Sequence, residues 1–231
     1  MRDNIKGVAF DLDGTLYPNH RLNIRLLPFI LTELRLLAAF GKARTIIRKE
    51  QKESANSSFP HVDFYTYQAE VTAKLLSVKS EPLKEKIERL IYRGWEPLFK
   101  KVKLFKGARE LLDDLHKAGF KLGLLSDFPP ETKLGHLGID NCWDSVLCSE
   151  RCGALKPHSL SFLELAKEMS LPPENILYVG NSYSYDVEGA AAVGMKTAWL
   201  KPLPCSGIGK KNPAPDFSFT NYRQLYKFLL L

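Results

Sequence analysis

From Phe105 onward the chain alternates helix-length segments of 3.6-residue periodicity with short apolar runs, and this rhythm restricts the fold more than any other feature. Ala108, Leu111, Leu112 and Leu115 line one helical face, and Gly119 ends it. Residues 121–126 then read as a strand. A helix over 159–169 and a strand over 176–179 follow, and then a helix around 187–193 and a strand over 196–199. The tail holds a short strand, 216–219, and a last helix capped by Asn221, with Leu225 and Phe228 turned inward. Near the start, residues 5–12 read as one more buried strand. Strands alternating with helices predict an α/β fold with a doubly wound, mostly parallel, Rossmann-like sheet.

The first strand is separated from the rest by residues 17–104, which have little strand character. Phe64, Gln68, Val71, Leu75 and Val78 fall at helical spacing, with Gln68 the one polar member. Residues 54–60 are polar and end in Pro60, which predicts a loop between helices. Pro82 fits the first turn of another helix. The most apolar stretch, 24–40, contains Arg25, Glu33 and Arg35, so it reads as a packed amphipathic helix rather than a bilayer span. A segment of this length is too long for a structureless loop. The expected organisation is an α/β core made of 1–16 and 105–231, with an all-helical lobe, 17–104, inserted in it.

The net charge is +7, and the inserted segment carries 17 Lys and Arg against 9 Asp and Glu, so the whole basic excess lies there. A basic lobe over a site would draw in anionic substrates, and a solvated helical surface gives the same count. Interleaved aromatic and basic residues are sparse and no nucleic-acid motif is present, which argues against a nucleic-acid partner. Cys142, Cys148, Cys152 and Cys205 form no CxxC pair and have no partner histidine pattern, so they read as small apolar filler. With a mean hydropathy of −0.19 and no signal-peptide pattern, the expectation is a cytoplasmic protein that makes no membrane contact. Nothing in the sequence specifies an oligomeric state.

Chemistry gathers at four places. Asp11-Leu12-Asp13-Gly14-Thr15 follows the first strand, and ligands of open α/β sheets bind at the carboxyl ends of strands. Two carboxylates there can serve as nucleophile and proton donor with a divalent cation between them. Ser126 ends a strand, where its hydroxyl can donate to a phosphoryl oxygen or simply make a turn. Asp127 beside it supports the site or belongs to the loop. Lys156, before Pro157, can offset repulsion among carboxylates and a phosphate, or is a solvated charge. Asp186 follows Gly180-Asn181-Ser182 after an apolar strand, and it completes an oxygen-rich magnesium site or starts a helix.

These four motifs, in this order, resemble the signature of the haloacid dehalogenase superfamily, over about 1–16 and 105–199. The resemblance implies a phosphatase of small phosphorylated metabolites that uses Mg2+ and forms an aspartyl-phosphate intermediate. By position, Asp11 matches the nucleophile and Asp13 the general acid/base. Ser126 and Lys156 match the phosphate-binding residues. The metal ligands would be Asp11, Asp13 through its backbone carbonyl, and Asp186. The inserted lobe matches the placement of the family's helical cap. An acid at Asp13 favours phosphate esters over halides, because expelling halide needs no proton. One departure is Asn181, where the family often has Asp; an amide oxygen carries no charge. A sugar-phosphate mutase shares all four motifs, and a phosphonatase would need a Schiff-base lysine, for which Lys42, Lys49 and Lys52 are available. A non-catalytic binding protein on the same fold is the remaining reading. His20, His61, His116, His136 and His158 are expected to be solvated or structural.

Overall fold

The computed structural model describes residues 4–53, 63–202 and 212–231, with the backbone alone over 20–31. The expected loop over 54–60, His61, Cys205 and the side chain of His20 lie outside the described residues.

Six strands form one sheet: β1 (Gly7–Phe10), β2 (Lys121–Ser126), β3 (Ser145–Cys148), β4 (Ile176–Gly180), β5 (Lys196–Leu200) and β6 (Phe217–Phe219). Their order is β3-β2-β1-β4-β5-β6 and every pairing is parallel. The Rossmann-like expectation holds, and the sheet is parallel throughout. The apolar runs are continuous because both faces are covered. Along β1, Val8 and Phe10 enter one core cluster and Ala9 the other. Along β4, Leu177 and Val179 share the first cluster, and Ile176 and Tyr178 the second. Helices α4 (Ala108–Lys117) and α8 (Tyr222–Leu230) supply the first face, through Leu111, Leu115, Leu225 and Leu229. Helices α6 (Ser159–Glu168) and α7 (Glu188–Ala192) supply the second, through Phe162, Leu165 and Ala190. Asn221 caps α8 as expected, accepting from the Gln224 amide at 3.2 Å.

Two elements have no counterpart in the sequence reading, β3 and α5 (Glu131–Leu137). Both are short, and β3 is an edge strand whose Val146 is 38% exposed, so neither presents a strong periodic signal.

Between β1 and α4 the elements among the described residues are all helical. The helical span α1 (Asn19–Glu53) is broken at Glu33, where φ is −123° and ψ 25°. It is followed by α2 (Phe64–Leu76), α3 (Ser80–Ile87), a π-helical turn (Glu88–Arg93) and a 3-10 turn (Glu96–Lys101). Asp63 caps α2 by accepting from the Thr66 amide at 2.9 Å. Leu36, Phe40, Ala69, Ala73, Leu83, Ile87 and Ile91 form this segment's own core. Gln68 keeps its place in the apolar stripe because both polar atoms of its amide have partners: it accepts from Arg44 Nη1 at 2.9 Å and donates to Tyr92 Oη at 2.7 Å. Val78 leaves the stripe, because Ser77 turns left-handed (φ 57°) and ends the helix. Tyr17, Phe99 and Val102 pack into the sheet's first core cluster. No helix among the described residues is long and apolar enough to cross a membrane. Cys142 and Cys148 are buried and unbridged.

Deleting buried methyl groups leaves a cavity beneath the sheet. Leu115→Ala is expected to cost about 2–5 kcal/mol in urea unfolding. Val146→Ala, on the partly exposed edge strand, is expected to cost less than about 1 kcal/mol.

Candidate active site

The carboxyl ends of β1, β2 and β4 meet where the strand order reverses, the position at which open α/β sheets bind ligands. Asp11 follows β1 directly and its amide donates to Val179 O at 2.9 Å, which ties this carboxylate's backbone to β4. The chain then turns through Gly14, whose φ is +90°. A Cβ on Gly14 would collide with the amide nitrogens of Asn181 and Asn19. At the end of β4, a Cβ on Gly180 would overlap the side chain of Asp186. Both glycines are therefore required by close approach around the carboxylates.

Four of the five expected site residues, Asp11, Asp13, Lys156 and Asp186, line one cavity, and Ser126 does not line it. Lys156 Nζ lies 2.7 Å from Asp11 Oδ1 and 2.7 Å from Asp186 Oδ1, and all three side chains are buried. Tyr178 Oη is 3.3 Å from the same ammonium. The other oxygen of Asp11 accepts from Thr15 Oγ1 at 2.6 Å, and Asp186 Oδ2 accepts from the Ser182 amide at 2.9 Å. Ser126, at the end of β2, is fully buried and its hydroxyl has no protein partner among the described residues. Asp13 faces the same cavity of about 130 Å³ as Asp11, Lys156, Asn181 and Asp186, but it is held from another side. Lys133 Nζ lies 2.7 Å from both of its oxygens, and Tyr17 donates to it.

The electrostatics follow from burial. Desolvation pushes the Asp11 carboxyl up to about 7; Lys156 opposes this, and the charges of Asp186 and Asp13 add to it. Burial works against a charged Lys156, yet Asp11 and Asp186 overcome it and hold its pKa well above the ordinary lysine value.

Sequence reasoning left Asp127 undecided, and the structure gives it a positioning role. Its Oδ1 accepts from the Lys156 amide at 3.1 Å and from Ser149 Oγ. Its Oδ2 takes Arg48 of α1 at 2.6 Å and Arg44 at 3.4 Å. Burial alone would raise its pKa; Arg44, Arg48 and Lys156 reverse that and hold it far below the carboxylate range. Arg48 also donates to the Lys156 carbonyl at 2.8 Å, and Arg44 pairs with buried Glu150. Lys133, Tyr17, Arg44 and Arg48 were not foreseen. Tyr17 stands next to the first motif, whereas nothing local marks Lys133 or the arginines, whose partners are distant in sequence.

Asn181 lines the cavity, and its Oδ1 is 3.3 Å from Thr15 Oγ1. Lys42, Lys49 and Lys52 are all exposed and do not line this cavity. His158 accepts from the Leu160 amide at the start of α6 at 3.3 Å, a structural role.

Sheet order and the carboxylates at its switch point define a Rossmann-like α/β protein with a ligand site at its strand ends. The model of the haloacid dehalogenase-like hydrolases matches residues 5–194, and the chain belongs to that family. It is phosphatase-like within the family. It is 30% identical to the glyceraldehyde 3-phosphate phosphatase of Pyrococcus abyssi, over 85% of this chain and 82% of that protein. It is 26% identical to the phosphoglycolate phosphatase of Haemophilus influenzae, over 99% of this chain and 100% of that protein. Among solved structures, the HAD phosphatase of Thermococcus onnurineus superposes with a TM-score of 0.64 at 26% identity, covering 98% of both chains.

In magnesium-free buffer Asp11 should titrate near 7, far above its ordinary 3.8. The folded state then holds a proton that the unfolded state releases, so stability falls as pH rises from about 4 to about 7. Asp11→Asn removes this loss. Its melting temperature is expected to exceed that of the wild type by a margin that widens between pH 5 and pH 8 in thermal scans.

Proposed function

We propose that the protein is a magnesium-dependent phosphatase of small phosphorylated metabolites that works through an aspartyl-phosphate on Asp11. The observation that carries this reading is the juxtaposition of Asp11, Lys156 and Asp186, which line one cavity with Asp13. Ser126, at the end of β2, keeps a buried hydroxyl with no protein partner among the described residues. A buried hydroxyl without a partner is costly, and a phosphoryl oxygen would satisfy it. The phosphatases named above support a small phosphate ester as substrate.

The donors facing the cavity suit magnesium. They are carboxylate and amide oxygens with no histidine or cysteine, a hard set. Among the described residues no three acidic, histidine or cysteine side chains converge on one point. Lys156 lies between Asp11 and Asp186, and Lys133 holds Asp13. Asp11, Asp186 and the backbone carbonyl of Asp13 would hold the ion. When bound, it supplies positive charge that offsets repulsion between phosphate and carboxylates.

Asp11 attacks phosphorus in line, forming a carboxyl oxygen–phosphorus bond as the ester oxygen–phosphorus bond breaks. The leaving oxygen takes a proton from Asp13, which Tyr17 and Lys133 orient. Water then attacks the phosphorus and gives its proton to Asp13, freeing phosphate and Asp11. Ser126 donates to a phosphoryl oxygen, and Lys156 offsets the charge that gathers on the transferring group. Residues 17–104 act as the cap that excludes bulk water during transfer.

With 4-nitrophenyl phosphate and magnesium, Asp11→Asn is expected to lower turnover by at least about a thousandfold, and Asp13→Asn to remove most of it. Full turnover in either variant would refute its assigned role. Asn181→Asp adds a charged oxygen at the cavity and is expected to lower the magnesium concentration for half-maximal rate about tenfold. A magnesium titration of initial rates checks this.

A further inference from the structure

A second, larger cavity of about 490 Å³ adjoins the catalytic one. Phe128 lines both, and Lys133 lines the larger cavity while its ammonium holds Asp13 of the smaller. A cavity of about 450 Å³ on the Gly14 and Asn181 side also borders the catalytic one, but the larger chamber is the one lined by the lysine that holds Asp13, the proposed proton donor to the leaving group.

Tyr65, Tyr92, Trp95, Phe99 and Phe128 line it together with charged residues that include Arg93, Glu96 and Lys133. The rings brace one another. Tyr65 and Tyr92 meet edge to face at 5.4 Å between centroids, and Phe128 lies 5.9 Å from Tyr92 and 6.3 Å from Trp95. Such a frame is set before any ligand arrives, and rings prefer offset or edge contacts with further rings.

The chamber's cations are already matched. Arg93 lies 3.0 Å from Glu88, Arg151 grips Glu131 with two nitrogens, and Lys133 grips Asp13. Among the described residues lining the chamber, each Arg and Lys is thus paired with a carboxylate. A second anionic group on the substrate would have to break one of these pairs or face Glu96. The basic excess of the inserted segment does not supply a free anion site in the chamber.

We propose that the chamber holds the leaving group and selects phosphate monoesters of a planar ring, aryl or heterocyclic, over esters that carry a second carboxylate. The assignment rests on the catalytic reading of the smaller cavity and names its substrate class. It sets this chain apart from its phosphoglycolate-hydrolysing relative. The ring stacks against Trp95 and Phe128, with Tyr65 and Tyr92 at its edge, while the phosphate reaches Asp11.

The test measures binding directly, so it does not depend on turnover. Wild-type protein with magnesium is titrated calorimetrically with benzylphosphonate and with 3-phosphonopropionate, two non-hydrolysable phosphonates that differ in the ring against the carboxylate. Benzylphosphonate is expected to bind at least about tenfold more tightly. Trp95→Ala and, separately, Tyr65→Ala are each expected to reduce that preference several-fold, with cooperative melting confirming that the variant is folded. The proposal is overturned if 3-phosphonopropionate binds as well as or better than benzylphosphonate, or if the preference survives in both variants. Absence of phosphatase turnover with firm benzylphosphonate binding would sink the catalytic reading and leave the chamber's preference standing.

Discussion

The arrangement at the sheet's switch point depends on one ammonium. Lys156 sits at equal distance from two buried carboxylates, one just after β1 and one in the helical turn that follows β4. Each carboxylate alone would be expensive to bury, and two near each other more so. The lysine makes the cluster tolerable without neutralising it, because one positive charge faces Asp11 and Asp186 together, with Asp13 nearby. Burial first, and then the charges of Asp186 and Asp13, raise the Asp11 carboxyl. The backbone is arranged around that cluster. Gly14 and Gly180 let the β1 and β4 turns approach, and Asp127 fixes the loop that carries the lysine.

The helical segment is joined to this centre by charge as well as by packing. Arg44 and Arg48 reach from α1 to Asp127, Glu150 and the Lys156 carbonyl. Burial pushes Glu150 up to about 7 even with Arg44 beside it, a measure of how little water reaches this seam. Arg44 also lies 4.2 Å over the ring of Phe128. Phe128 thus has an arginine against its ring and borders both cavities, so the ring's position is set from the helical side and from the strand side at once.

Much of the fold was legible because burial on both sheet faces writes itself into sequence as unbroken apolar runs. The strands at 121–126 and 196–199, the face of α4 and the Asn221 cap are all of this kind. Edge strand β3 was missed because half-exposed Ser-Val-Leu-Cys carries no such signature. Asp11 and Asp186 could be found because each follows an apolar strand in a short local pattern, and Lys156 by its place before Pro157 between the second and fourth motifs; the three meet in space. Lys133 and the two arginines could not, because their roles exist only through contacts more than 75 residues away, such as Arg48 with Lys156 at a separation of 108. Gln68 illustrates the converse case. A polar residue in an apolar stripe looked like a flaw in the pattern, and the structure supplies two partners that make it compatible with burial.

The seam between α1 and the lysine loop also bears on inheritance. An insertion held by apolar contact alone could be exchanged between relatives with little regard for what lies beneath it. Here a transplanted helical segment lacking Arg44 and Arg48 would leave buried Glu150 without its cation and Asp127 without its two arginines, and a sheet lacking those acids would strand buried Arg44. The insertion and the strand-end loops are therefore bound to change together, and in this chain the helical segment is not a freely interchangeable module.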